Sequence, residues 1–270
     1  MSQKKYKIID EVAFKGATFQ ILEFEELNGA TDIETAVNLF YAREVGMKLR
    51  QVRINLENAK IKTEAGALYF YKGHIETETK MGGVTGVFKK AISGGLTNES
   101  AMKPLYKGTG EVWLEPSFSH YIVIELTGNS IIVDKGMFYC CSDEIEVSAQ
   151  MQKNISSTVL GGEGLFQIKL SGHGIVVLES SIPSSEIITY TLEKGEVLKV
   201  DGNIAIARSE TVDFSVTKSD KSLIGSALNG EGLLNTFKGE GTIWLAPTAP
   251  IYNKMKLRLP ITNKNSSNLS

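Results

Sequence analysis

Glycine phrases carrying an acid, three scattered histidines, two adjacent cysteines and two matched tryptophans are the residues of this 270-residue chain whose types could do chemistry. Gly161-Gly162-Glu163-Gly164 and Gly230-Glu231-Gly232 have the composition of loops that hold phosphate in a cradle of backbone N–H groups. A P-loop, however, ends in Gly-Lys-Ser/Thr at a helix start, and no such sequence occurs. A dinucleotide fingerprint needs a βαβ setting, whereas the surrounding residues read as strand. Each phrase also holds a glutamate, whose charge repels phosphate. Glycine placed for tight turns or for close approach of strands accounts for both phrases.

The histidines, His74, His120 and His173, show no metal-ligand spacing among themselves and no accompanying cysteine or carboxylate cluster. His173 stands between Gly172 and Gly174, where a lone catalytic residue or a surface turn residue would both fit, and the surface reading is the simpler. The nucleophile elbow Gly-x-Ser-x-Gly is absent. Cys140 and Cys141 are consecutive, so on a strand they point to opposite faces and a bridge between them would be strained. Free thiols of this kind fit a reducing, cytoplasmic compartment and serve as strand filler. Trp113 and Trp244 occupy matched places in two phrases; stacking on a base or sugar is one use, inward packing the other. The valine at the corresponding place, Val177, favours packing. No residue is therefore assigned a catalytic, cofactor-binding or metal-binding role.

The phrases that hold these residues are copies. Lys107-Gly108-Thr109-Gly110-Glu111-Val112-Trp113-Leu114 recurs as Lys238-Gly239-Glu240-Gly241-Thr242-Ile243-Trp244-Leu245, with a looser copy from Ser171 to Leu178. Upstream, Leu56 to Gly66, Leu126 to Gly136 and Leu192 to Gly202 have equal spans, each followed by a strand-like run. Fixed spacing of this kind marks one supersecondary unit repeated three times and implies equal register within each copy. The expected organisation is an extension over 1–50, repeats over 51–119, 120–185 and 186–252 related by an approximate three-fold, and a tail over 253–270. Runs such as Ile122-Val123-Ile124 and Ile187-Ile188-Thr189-Tyr190, bounded by Gly, Asn or Asp, predict an all-β chain. Thr127-Gly128-Asn129-Ser130 predicts a hairpin turn, with counterparts at 57–60 and 193–196.

Two regions break the β pattern. Thr31-Asp32-Ile33-Glu34 reads as a capping box, and Ile33, Val37, Phe40 and Tyr41 then recur at helical spacing. An amphipathic helix from about Asp32 to Val45 is predicted to lay that face on the β core. The glycine-rich middles at 82–95, 156–164 and 222–232 have room for a short helix each. Overall, 29 basic against 31 acidic residues, without blocks of one sign, argue against a nucleic-acid arm or a polybasic membrane patch. Neither a signal peptide nor a membrane-length apolar run is found.

Gly161-Gly162-Glu163-Gly164-Leu165-Phe166, Gly239 to Pro247 and the Leu56 to Tyr71 stretch with Glu64-Ala65-Gly66-Ala67 resemble one family: the altered-inheritance-of-mitochondria family, twenty-fourth member, with bacterial relatives of unknown function. The resemblance covers about Gln51 to Tyr252. It implies three subdomains similar to the tryptophan RNA-binding attenuation protein, a short double-stranded β-helix unit that assembles into rings. It also implies a mitochondrial biogenesis role in fungal members, and it brings no catalytic residues or cofactors. The expectation is thus a non-enzymatic scaffold or assembly protein, homo-oligomeric and most simply a trimer. The alternative is a module that binds RNA or a small ligand in a groove between repeats; the near-neutral charge weighs against RNA.

Overall fold

The computed structural model describes residues 5–78, 103–151, 166–218 and 233–255. The glycine-rich middles, the phrases at 161–164 and 230–232, and most of the C-terminal tail lie outside the described residues. The chain is predominantly β. It opens with a hairpin, β1 (Tyr6–Phe14) and β2 (Ala17–Phe24), whose turn holds Lys15 and Gly16 at φ 45° and 81°. Helix α1 (Ile33–Glu44) follows.

Three similarly built units come next. The first has β3 (Arg50–Thr63), β4 (Leu68–Glu78) and β5 (Leu105–Leu114). The second has β6 (His120–Asp134), β7 (Phe138–Ser142), β8 (Glu146–Met151) and β9 (Phe166–Ser180). In the third, each long strand is divided: β10 (Ile188–Leu192) and β11 (Val197–Asp201), β12 (Ala205–Ser209) and β13 (Val212–Lys218), β14 (Leu233–Gly239) and β15 (Gly241–Leu245). A short helix α2 (Ala249–Met255) ends the described chain.

In each unit the closing strand pairs antiparallel with both the opening strand and the one after it. Gly66, Gly136 and Gly202 end the opening strands at φ 79°, 88° and 69°, left-handed conformations that an L-residue adopts only with strain. The predicted hairpin turns at 57–60 and 127–130 are instead bulges: register shifts between Leu56 and Ala59 and between Thr127 and Ser130, while the strand continues. The closing strand spans both halves of its partner, so the chain has no need to reverse. Asn58 at φ 51° and Gly128 at φ 98° absorb the extra residues. Only at 193–196 does the strand break in two.

Strand pairing joins the units in series. Ile61, Lys62 and Thr63 of β3 lie opposite Ser142, Cys141 and Cys140 of β7. In the same way, Ile131, Ile132 and Val133 of β6 lie opposite Ser209, Arg208 and Ala207 of β12. Closing the three units into a ring within one chain would need a third seam, from β11 back to β4. Among the described residues β4 pairs only with β5, and β11 only with β14. The cores follow the seams: one cluster unites the first unit with Tyr139, Cys140, Ile175 and Val177 of the second. Another unites the second unit with Ala207, and a third belongs to the third unit alone.

Helix α1 departs from expectation. Its N-cap is Asp32, one residue beyond the predicted Thr31, with Oδ1 accepting from Thr35 N at 2.8 Å and Oδ2 from the Thr35 hydroxyl at 2.8 Å. The apolar face does not pack on the β core: no α1 residue is buried, and Ile33, Val37, Phe40 and Tyr41 are all exposed, Ile33 by 84%. Leu39, Ala42 and Arg43, on the other side, face Phe24 to Leu27 and Met47 to Leu49 across a shallow cleft. The edge of β3 beside the helix is occupied by β2.

Candidate functional site

The repeated glycines of the closing strands explain themselves first. Gly108 and Gly110 sit at φ 134° and 151°, Gly172 at 127°, Gly239 and Gly241 at 129° and 145°. A Cβ at Gly108 would stand 2.0 Å from His74 O, and one at Gly110 would stand 2.1 Å from Lys72 O. At Gly172 the obstacle is Glu144 O at 2.5 Å, and at Gly239 it is Thr211 O at 2.9 Å. In all three units the glycines let the strand after the glycine turn cross close over the closing strand. The Cβ positions of Gly108, Gly110, Gly172 and Gly239 face protein backbone, and that of Gly241 faces the Thr211, Ser209 and Val212 side chains.

The thiols are equally committed. Cys140 faces the first core cluster and Cys141 the second, as consecutive strand residues must, and both are buried. Burial pushes the Cys140 thiol well above its ordinary value and the Cys141 thiol up to about 12, so neither supplies a thiolate near neutrality.

The histidines are held on three different strands. His74 lies exposed on β4, and His173, exposed on β9, stacks on Phe14 with ring centroids 5.7 Å apart. His120, half-buried on β6, lines a cleft of about 250 Å³ with Arg50, Asp10, Ile9, Tyr121 and Pro183. Burial and the neighbouring Arg50 charge lower its affinity for a proton. Among the described residues no group of three or more His, Cys, Asp or Glu stands close enough to hold a metal ion.

Trp113 and Trp244 are half-buried rather than fully inward. Trp113 stacks on Phe70 with centroids 5.2 Å apart and planes at 17°, and its indole N–H donates to Glu111 Oε2 at 3.0 Å. Arg53, which sequence reasoning did not single out, is buried behind it. Its guanidinium lies 5.1 Å from the Trp113 ring and 5.6 Å from the Tyr6 ring, donating to Gln20 Oε1 at 2.7 Å and to the Tyr6 hydroxyl at 3.0 Å. An arginine amid hydrophobic alternation gives no signal of this; only the pairing of β3 with β2 and β5 brings the rings around it.

Trp244 lines a cleft with the shape of a ligand groove. Between the second and third units lies an apolar cavity of about 400 Å³, lined chiefly by Ile122, Ile124, Met137, Leu178, Ile206 and Trp244. Its lining carries Glu125 as its one ionisable side chain. At the first core cluster, the Tyr139 hydroxyl donates to Glu115 O at 2.8 Å, and the Tyr121 hydroxyl lies 3.0 Å from Ser117 Oγ. Burial raises the pKa of both tyrosines.

Residues 43–248 match the family model described as mitochondrial biogenesis AIM24. An uncharacterized protein of Streptococcus pyogenes serotype M6 is 26% identical over 208 residues, covering 74% of this chain and 82% of that protein. A crystal structure of a Streptococcus pyogenes protein, a structural genomics target, superposes with a TM-score of 0.55 and 21% identity, over 76% of this chain and 94% of that one. At that identity the likeness concerns the fold. Among the described residues no helix is long and apolar enough to cross a membrane.

Proposed function

The chain belongs to the mitochondrial biogenesis AIM24 family, and we propose for it a non-enzymatic role as a β scaffold that works as a homo-oligomer, with a trimer the favoured state, in the cytoplasm. One observation carries the reading: the residues that the units share are glycines at strand crossings and apolar side chains in cores, and these shape a fold without offering chemistry. The thiols are buried and protonated, the histidines stand apart, and the closing-strand glycines Gly108, Gly110, Gly172 and Gly239 face backbone. The finer reading belongs to the same proposal: three pseudo-repeated subdomains of double-stranded β-helix type in an approximate three-fold relation. It is supported by the matched left-handed glycines and by two seams of identical register.

Light scattering on purified protein at micromolar concentration is expected to give a defined oligomer, and a broad screen for hydrolase and transferase turnover is expected to give none. A monomer removes the assembly reading. Reproducible turnover abolished by one substitution, such as His173→Ala, removes the non-enzymatic one. The apolar cavity favours a second reading, binding of a small apolar ligand between the second and third units. A fluorescent fatty acid is the probe, and saturable binding that Trp244→Ala weakens would establish it, whereas no binding would dismiss it.

A further inference from the structure

The seam between units is built twice within the chain and left half-built at each end. At the first seam β7 is covered by β3, and its residues Phe138 to Ser142 are all buried. At the second, β12 is covered by β6, and Ala207 and Arg208 are buried. The equivalent strand of the first unit is β4. Its outer edge has no partner among the described residues, and the consecutive aromatics Tyr69, Phe70 and Tyr71 are exposed by 56%, 44% and 46%. The covering strand has the complementary history. Ile132, opposite Arg208 in the second seam, is buried and Lys62, opposite Cys141 in the first, is half-buried, while their counterpart on β11, Lys199, is exposed. One chain thus presents both halves of the joint that it uses internally, at opposite ends of its row of units.

From this we infer that β4 of one copy pairs antiparallel with β11 of a second copy, repeating the internal seam between molecules. The inference rests on the oligomeric scaffold reading and specifies its interface. The partner is a second copy of this chain because its β11 edge already carries the register that β4 would need. Lys62 opposite Cys141 and Ile132 opposite Arg208 translate to Lys199 opposite Tyr71, flanked by Leu198 opposite Lys72 and Val200 opposite Phe70. The hydrogen-bond phase transfers as well. Glu64 N donates to Tyr139 O at 2.7 Å, and Glu210 N to Ser130 O at 3.1 Å, so the central residue pair of each seam is a hydrogen-bonded one. Lys199 and Tyr71 would then exchange N–H···O bonds, while Leu198 and Lys72 would form a close non-hydrogen-bonded pair. Pairing would remove an unprotected strand edge and three exposed aromatics from water, the usual hazards of such an edge. The contact is head-to-tail, so it closes into a ring when the rotation between copies allows.

The test is cross-linking in trans. Lys72→Cys protein is mixed with Leu198→Cys protein under mild oxidation; Lys72 is exposed, Leu198 is half-buried, and the native cysteines are buried. Non-hydrogen-bonded neighbours have Cα separations of about 4.5 Å, within reach of a disulfide. A covalent dimer is expected from the mixture and from neither protein alone. Lys72→Cys with Val197→Cys, one residue out of register and on the opposite face, should give at least about tenfold less. Leu198→Lys, set against Lys72, should weaken association by about tenfold or more, whereas Leu198→Glu should preserve it. A chain carrying both Lys72→Cys and Leu198→Cys that closes on itself as a compact monomer would overturn the inference. So would an oligomer that persists without the in-register cross-link, or equal association of the Leu198→Lys and Leu198→Glu proteins; both leave the scaffold reading standing. A monomer by light scattering removes both readings.

Discussion

Replacing Gly108 with alanine tests whether the repeated glycines serve packing, and Gly66 supplies the control. Gly66 holds φ +79° with nothing within 4 Å of a built Cβ, so Gly66→Ala meets only backbone strain, about 1–2 kcal/mol. Gly108 holds φ +134°, a region almost closed to other residues, and this alone costs about 1–3 kcal/mol. Its Cβ would also lie 2.0 Å from His74 O, 3.1 Å from His74 C and 3.3 Å from the Ile75 Cα. All three atoms are backbone, so no side chain can rotate away, and β4 must separate from β5. Overpacking of this kind adds about 1–3 kcal/mol, and the lower entropy of the unfolded alanine chain returns about 0.4–1 kcal/mol. Gly108→Ala should therefore destabilise by about 1–5 kcal/mol, centred on about 3 kcal/mol and roughly 2 kcal/mol more than Gly66→Ala. Urea unfolding followed by circular dichroism measures both, with the difference read from the midpoints at a common slope. Equal losses for the two variants would refute the crossing argument. So would a Gly108→Ala protein of native stability that had lost a bound ligand.

The cysteines should be silent in the native state: a thiol reagent should label neither Cys140 nor Cys141 at pH 8 until denaturant is added, because both are buried and titrate far above that pH. Labelling at the rate of a free thiol would show that β7 opens. Glu23 should make the N-terminal hairpin acid-sensitive. Burial pushes its carboxyl up, but Lys7 at 3.1 Å and Arg50 at 3.0 Å outweigh this and hold it below the usual range. A depressed folded pKa gives stability that is present above the unfolded value of about 4.3 and lost as pH falls through the folded one. Glu23→Gln should accordingly lower the melting temperature at pH 7, with the gap to the unaltered protein closing below about pH 4; a gap independent of pH would contradict the assignment.

What was legible in the sequence was whatever repeats or alternates. Equal Leu-to-Gly spans located three glycines that share a left-handed φ, although Gly202 falls one residue earlier in its turn than Gly66 and Gly136, and β-branched runs located the strands. The helix was legible as an element, because Asp32 and the spacing after it are local signals. Its burial was not. Whether Ile33, Val37 and Tyr41 find a core depends on which surface is vacant, and β2 takes the neighbouring strand edge by pairing with β3, some 30 residues along the chain. The same limit applies to the bulges. Thr127-Gly128-Asn129-Ser130 has the composition of a turn, and only the length of the partner β9 decides that the strand runs on through it. Arg53 and the cavity beside Trp244 gave no signal, because each is assembled from strands that meet through long-range pairing.

The side chains at one repeat position show how far that pairing governs composition. Tyr71, Cys141 and Arg208 occupy corresponding places in the three units, with three different chemistries. Cys141 is sealed between β3 and β9, where a small apolar group fits and a charge would be costly. Arg208 is buried too, but there the turn after β12 offers Val212 O, which accepts its guanidinium at 2.6 Å; burial still pulls its pKa down, the mark of a charge tolerated for a backbone partner. Among the described residues no strand covers Tyr71, which is a large half-apolar side chain, 46% exposed. Conformational demand at this position is the same in all three units, as the matched glycine turns require. What differs is the surface above it, so the residue type reports what covers the strand. An exposed tyrosine flanked by Phe70 and Tyr69 is the composition of a covered position standing uncovered, which is why the outer edge of β4 is the place to look for a partner.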